Sequence, residues 1–405
     1  MKKSVLIVFL MAIFVSCKSS SNSVAESVTE AKKVSVHSYP ILLGAERMDQ
    51  YLSQLQGKRV ALVVNQTSVI GKTHLVDTLL QLGIDIKKVF APEHGFRGNH
   101  SAGAIIKDGK DLKTSLNVVS LYGKNKKPSA EMLADVDVVI FDIQDVGVRF
   151  YTYISTMHYV MEACAELGKE VVVLDRPNPN GYYIDGPILE SEYKSFIGMH
   201  AIPIVHGLTV GELAQMINGE KWLKNELICN LKVVPCLNYT HDSLYQLPVR
   251  PSPNLPNMNA VYLYPYLGLF EGTNVSIGRG TDFPFQVIGR PGSVGAFSFT
   301  PRSIPGVSDN PKYLGQECVG ETIPDFLSDD ILSQNTLNLK WLILMYENNR
   351  AEDGEYFKDF FYKLAGNKEL RIKIESGMSD ADIRKTWQPG LEKYKVKRKK
   401  YLLYP

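Results

Sequence analysis

Three stretches of this chain are apolar at consecutive rather than alternating positions: 59–65 (RVALVVN), 136–142 (VDVVIFD) and 170–175 (EVVVLD). A strand with one wet face alternates apolar and polar side chains, whereas continuous Val/Ile runs mark strands buried on both faces. Two further short strands are expected at 88–91 and 118–121, and helical spacing is present at 74–82 and 156–167. Parallel neighbours need a crossover that packs on the sheet, so strand–helix alternation predicts an α/β fold with a doubly wound, mostly parallel sheet. A further helix is expected over 207–216, with Thr209 as N-cap and Glu212 three residues on, the pattern of a capping box.

Around residue 248 the chain changes character. Pro248, Pro251, Pro253 and Pro256 fall within nine residues and cannot lie inside a regular element. Beyond them glycine-rich loops alternate with short strands, followed by helices near 337–348 and 356–364 and a strand-like end over 395–404. The division expected is a sheet domain over 39–247 and a smaller α+β domain over 248–405 that completes a cleft. The Lys-rich end, 393–400, reads as an edge strand whose charges discourage pairing with other chains.

The first 38 residues belong to neither domain. Lys2 and Lys3 precede an uncharged apolar run over 5–15, closed by Ser16 and Cys17, the layout of a secretory signal peptide over 1–17. That run is shorter than the roughly 20 residues a spanning helix needs. A Cys at the junction resembles the lipobox of bacterial lipoproteins, which implies a lipid anchor on Cys17. Residues 18–38 read as a flexible tether whose ends would lie roughly 25 Å apart. The expectation is a cell-envelope protein, at the outer membrane and facing the periplasm.

Composition excludes several partners. The 45 Lys and Arg against 43 Asp and Glu leave no basic footprint for nucleic acid. Cys164, Cys229, Cys236 and Cys318 form no C-x-x-C pair, and buried free thiols are expected of them. No G-x-G-x-x-G follows the first strand, so a dinucleotide is not expected. No phosphate loop and no G-x-S-x-G elbow is present. Glu93, His94, Asp142 and Asp145 could ligate a metal, yet no two His stand at ligand spacing, and the chemistry is expected to need no metal or other cofactor.

The unusual polar residues fall where strands end: Asn65-Gln66-Thr67, Pro92-Glu93-His94-Gly95, the run from Asp142 through Gln144 and Asp145 to Arg149, and Asp175-Arg176-Pro177-Asn178. In an open parallel sheet the ligand crevice lies at the carboxyl ends of the strands, so these clusters should converge. Carboxylates with amides and Arg are equipment for a sugar. Glycoside cleavage needs one carboxyl to protonate the leaving oxygen and typically a second at the anomeric carbon. Glu93 is the best acid, with Asp145 or Asp142 as partner, and Arg149 and Arg176 could fork onto a ligand carboxylate. Read blandly, Glu93 is a loop carboxylate, Asp142 caps a turn, and the two Arg pair internally with Asp145 and Asp175. In the second half Glu271, Asn274, Arg279 and Asp282 punctuate a glycine-rich stretch that could face the same cleft.

The stretches APEHGFRG (91–98), FDIQDVGVRFYTYI (141–154), DRPNPNG (175–181), LFEGTNVSIGRGTDFPFQ (269–286) and KYLLYP (400–405) resemble the exo-acting β-N-acetylmuramidases of the NamZ type. The resemblance implies a Rossmann-like first domain without a dinucleotide and an active site shared with the second. It implies hydrolysis of the β-1,4 bond between a terminal, non-reducing N-acetylmuramic acid (MurNAc) and N-acetylglucosamine (GlcNAc) in peptidoglycan fragments. Glu93 then leads as catalytic carboxylate, with Asp145 and Glu271 at motif positions for a second, unless the substrate's acetamido group replaces it. Arg149, Arg176 and Arg279 are candidates for the lactyl carboxylate, and Tyr151 joins the binding set. The alternative is an envelope lipoprotein that binds such glycans without cleaving them.

Overall fold

The structure is a computed structural model that describes residues 39–97, 108–324, 335–349 and 355–405. The expected signal peptide, Cys17 and the tether lie outside the described residues.

The first half is built on β1 (Arg59–Val64), the small hairpin β2 (Val69–Ile70) and β3 (Thr73–His74), then β4 (Asp85–Ala91), β5 (Gly109–Lys110), β6 (Asn117–Ser120), β7 (Val138–Asp142), β8 (Glu170–Leu174) and β9 (Asn230–Val234). Seven of these form one sheet in the order β5-β6-β4-β1-β7-β8-β9, parallel throughout except for β5 on its edge. The chain winds outward from β1 through β4 to β6, then returns to β7 and winds the other way. That order is the doubly wound, Rossmann-like one, with its switch point between β1 and β7.

Both faces are buried, as the Val/Ile runs require. On β1, Ala61 and Val63 join one apolar cluster while Val60, Leu62 and Val64 join another; Val139 and Phe141 against Val138 and Ile140 repeat the division on β7. Fully burying such a side chain contributes about 1.5–3 kcal/mol. The helix Leu75–Gln81 packs into the second cluster, and the helices Tyr153–Glu166 and Val210–Gly219 into the first. Thr209 and Glu212 form the expected capping box at the start of the latter. Cys164, Cys229, Cys236 and Cys318 are buried, with free thiols.

The second half adds a three-stranded antiparallel sheet of β10 (Val287–Arg290), β11 (Phe297–Phe299) and β12 (Cys318–Thr322), with β12 in the middle. Its helices include Met258–Leu267, Lys340–Asn349, Asp359–Ala365, Glu369–Glu375 and Asp380–Arg398. Their apolar faces continue the first cluster, from Ala61 to Tyr394, so the two halves share a core.

The end of the chain departs from expectation. Residues 395–398 close the 19-residue helix Asp380–Arg398, and Lys399–Tyr401 is a 3-10 turn; no strand forms there. Ile383, Trp387, Leu391 and Tyr394 are buried at helical spacing, Ser379 caps the N-terminus, and Lys395, Lys397 and Arg398 suit the negative end of the dipole. The lysines are therefore not edge-strand guards; Lys397 pairs with Glu220 and Lys395 with Glu392. Past the helix, the Tyr404 hydroxyl donates to Asp175 Oδ2 at 2.6 Å, which ties KYLLYP to the carboxyl end of β8.

Candidate active site

β4 ends at Ala91, and Pro92 to Gly95 turn sharply, the Gly95 N–H donating to the Pro92 carbonyl at 3.0 Å. His94 (φ 69°) and Gly95 (φ 79°) are both left-handed. For a non-glycine residue that costs on the order of 1–3 kcal/mol, a strain typical of functional sites. The turn presents Glu93 and His94 to a pocket of about 370 Å³, also lined by Tyr122, by Phe150 to Tyr153 and by Glu271 and Arg279. This volume lies at the small end of ligand sites, roughly 300–1,000 Å³.

Two hydroxyls hold the Glu93 carboxylate. Tyr122, just beyond β6, donates to Oε1 at 2.9 Å, and Thr152 donates to Oε2 at 3.0 Å. Thr152 occupies the N-cap of the helix Tyr153–Glu166 but makes no side-chain cap bond. A Thr that would ordinarily serve the helix backbone is turned to the carboxylate instead. His94 Nε2 lies 3.2 Å from Ser252 Oγ, which belongs to the proline-rich connector.

At the Arg279 wall, its Nε and Nη2 donate to a single oxygen of Glu271, at 2.9 and 2.6 Å. The guanidinium also lies over the Phe285 ring, 5.0 Å from its centroid. Two of its five N–H groups are thus used on Glu271, leaving the Nη1 edge for a ligand, and 24% of its side chain is exposed.

Five of the fourteen site residues expected from sequence line this pocket: Glu93, His94, Tyr151, Glu271 and Arg279. The others are placed elsewhere, for definite reasons. Asp142 and Arg176 form a fully buried ion pair at the switch point, with Nε to Oδ1 at 2.5 Å and Nη2 to Oδ2 at 2.9 Å. Arg176 therefore pairs internally, though with Asp142 rather than Asp175. Arg149 is wholly buried and donates to four carbonyls, of Pro187, Ile202, Leu364 and Ala365, stitching the two halves together. Neither Arg is available to a substrate carboxylate. Asn65 closes its own turn through Thr67, Gln144 spans Asp145 and Pro177, and Asn178 bonds Leu208 and Asn180. The Asn274 carbonyl accepts from Tyr313, and Asp282 pairs with Arg302 on the surface. Protein side chains fill the switch point, and the pocket sits to one side, at the ends of β4 and β6.

Asp145 is buried and does not line the pocket. Its Oδ2 accepts the Gly147 N–H at 2.7 Å, while Oδ1 has no partner. Burial pushes its carboxyl up to about 7, against the opposing effect of the Gly147 and Val146 N–H groups. His206, 3.8 Å away, is held down to about 3 by its own burial and by Arg398 and Arg149, so it is neutral near pH 7. The consequence for stability has a definite sign. Between pH 3.8 and about 7 the folded chain keeps a proton here that the unfolded chain releases. Stability from this group is complete below that window and falls as pH rises through it, by on the order of 4 kcal/mol. Asp145→Asn should remove this descending contribution from urea-unfolding midpoints taken from pH 4 to 7.5, where Asp175, raised to about 6, contributes with the same sign and His206, neutral when folded, with the opposite one. An unaltered slope would mean that Asp145 titrates normally.

The chain is similar to known proteins over most of its length. Residues 60–259 match the family model for the N-terminal part of exo-β-N-acetylmuramidase NamZ, and residues 262–404 match that for its C-terminal part. The peptidoglycan β-N-acetylmuramidase NamZ of Bacillus subtilis (strain 168) is 41% identical over 376 residues, spanning 88% of this chain and 89% of its own. Two DUF1343 family proteins of Bacteroides fragilis NCTC 9343, known from crystal structures, share the fold. One has a TM-score of 0.84 at 47% identity, the other 0.75 at 32%, and each comparison covers 90% of this chain and 99% of the other.

Proposed function

This chain belongs to the NamZ family of exo-β-N-acetylmuramidases and is a glycosidase, and on that premise we propose that it removes the terminal, non-reducing MurNAc from peptidoglycan fragments. The observation that carries the reading is the pairing of one oriented carboxylate with one reachable Arg in a small pocket. Glu93 is the general acid: it protonates the glycosidic oxygen as the bond from the anomeric carbon breaks, and water supplies the new hydroxyl. Arg279 receives the lactyl carboxylate on the Nη1 edge that Glu271 leaves unoccupied. Glu271 then serves by fixing the guanidinium rather than by attacking the sugar. A pocket at the small end of the ligand range suits one terminal sugar better than a length of glycan.

GlcNAc differs from MurNAc by lacking the lactyl ether and hence the carboxylate. A site built to bond a charged group rejects the analogue that lacks it, because the buried donor goes unpaired. The protein should therefore release chromophore from an aryl MurNAc glycoside and little or none from the aryl GlcNAc glycoside. Comparable rates on both would remove Arg279 as the discriminating contact, and no release from either would leave the glycan-binding alternative.

The same reading puts the enzyme in the cell envelope, held by a lipid on Cys17 at the outer membrane and facing the periplasm. Its support is the charge and apolar pattern of residues 2–17. Cys17→Ala should move the protein from the membrane fraction to the soluble one. Retention of that variant in membranes would exclude Cys17 as the anchor.

A further inference from the structure

Tyr264 was not among the residues singled out from sequence, yet it is the most unusual polar group in the pocket. It lies in the helix Met258–Leu267 and is only 6% exposed. Its ring is held by Phe285, Phe150 and Tyr151, with centroids 5.0, 5.5 and 5.6 Å away. One turn of helix is opened beside it: Pro265 has no N–H for the Val261 carbonyl, which accepts the Asn180 side-chain amide at 3.3 Å instead. The ring is thus fixed in position and orientation.

Buried Tyr hydroxyls ordinarily find a hydrogen-bond partner. Two neighbours do: Tyr151 and Tyr153 both reach the Pro251 carbonyl, at 2.9 and 3.4 Å. Tyr264 makes no hydrogen bond to any described residue, although it lines the pocket, and its oxygen is not one of the buried atoms sealed from solvent. A rigid O–H with no partner among the described residues therefore opens onto ligand space. Burial keeps it protonated, and the charges of Glu271, Arg279 and Glu93 all act on it. Arg279 in turn feels Glu271, Tyr264 and Glu93. The hydroxyl is within electrostatic reach of both the acid and the carboxylate receptor.

The substrate's own connectivity says what stands there. In MurNAc the glycosidic oxygen is on C1, the acetamido group on C2 and the lactyl ether on C3. Resting on the substrate reading above, with C1 at Glu93 and the lactyl group at Arg279, the C2 substituent is the one flanked by both. We propose that the Tyr264 hydroxyl hydrogen-bonds the 2-acetamido group of the bound MurNAc and orients it beside the anomeric carbon, making Tyr264 a specificity residue of the reaction.

Tyr264→Phe tests this cleanly, since it keeps the ring and breaks no internal hydrogen bond. On an aryl MurNAc glycoside, kcat/KM should fall about ten- to a hundred-fold with the thermal midpoint unchanged. Calorimetry with two free sugars then identifies the group contacted. Affinity for MurNAc should fall in the variant, whereas affinity for the 3-O-lactyl ether of glucose, with a hydroxyl at C2, should match the parent within about threefold. Equal losses for both sugars would overturn the acetamido assignment, and unchanged turnover and affinity would overturn any role for Tyr264. Failure of the parent protein to bind or cleave any MurNAc compound sinks the substrate reading itself, and is distinguishable because it precedes the mutation.

Discussion

Glu93→Gln is expected to lower turnover of the natural MurNAc–GlcNAc bond by about 10²–10⁴-fold while leaving the fold intact, the range for loss of one positioned proton donor. The side chain stands in the pocket wall rather than in the core, and its contacts include the hydroxyls of Tyr122 and Thr152. An amide of the same shape still accepts one of these and requires the other hydroxyl to turn, a minor cost. What it lacks is a proton to give. The leaving group makes the expectation sharper. An aryl oxide departs with little protonation, whereas the GlcNAc hydroxyl is a poor leaving group that depends on it. The loss on an aryl MurNAc glycoside should therefore be much smaller than on the natural disaccharide. Equal losses on both would mean that Gln disturbs binding, and proton donation would have to be sought at another group.

The sheet was legible because its signal is local. β1, β7 and β8 are each a run of four or five apolar side chains, and no other element with that texture fits a chain that alternates with helices. Glu93 and His94 were legible because a Pro-Glu-His-Gly turn after a strand has few purely structural uses. The sorting of the other strand-end clusters was not local. Whether Asp142, Gln144 and Arg176 face a ligand or the protein itself depends on β7 lying between β1 and β8, and Arg149 gains its role from carbonyls up to 216 residues away. Charges in such clusters read alike whether they are destined for substrate or for a buried pair. Tyr264 left no signal, since LYPYLGLF reads as core, and all eight of its residues are indeed buried. At the C-terminus the error was one of window length. Residues 395–404 alone, a basic run followed by Tyr-Leu-Leu-Tyr, show no helical stripe, and only the stripe that begins at Ile383 reveals the helix.

The second large effect concerns stability, at the pair that fills the switch point. Asp142→Ala should destabilise the fold by about 3–5 kcal/mol, because it strands the Arg176 guanidinium in the core. Arg176 is 2% exposed and Asp142 fully buried. Apart from Asp142, the described contact of this guanidinium is a 3.4 Å approach to the Val69 carbonyl, which cannot replace a carboxylate. The pair itself need not be worth that much. Two charges removed from water gain little net from each other, so Asp142→Leu with Arg176→Met should recover most of the lost stability. The double variant also separates a structural role from a substrate-binding one. With the pair outside the pocket, restoring stability should restore kcat and KM on the MurNAc glycoside together. Recovered stability with KM still raised more than tenfold would show that Arg176 reaches the sugar after all, and would place the lactyl group at the switch point instead of at Arg279.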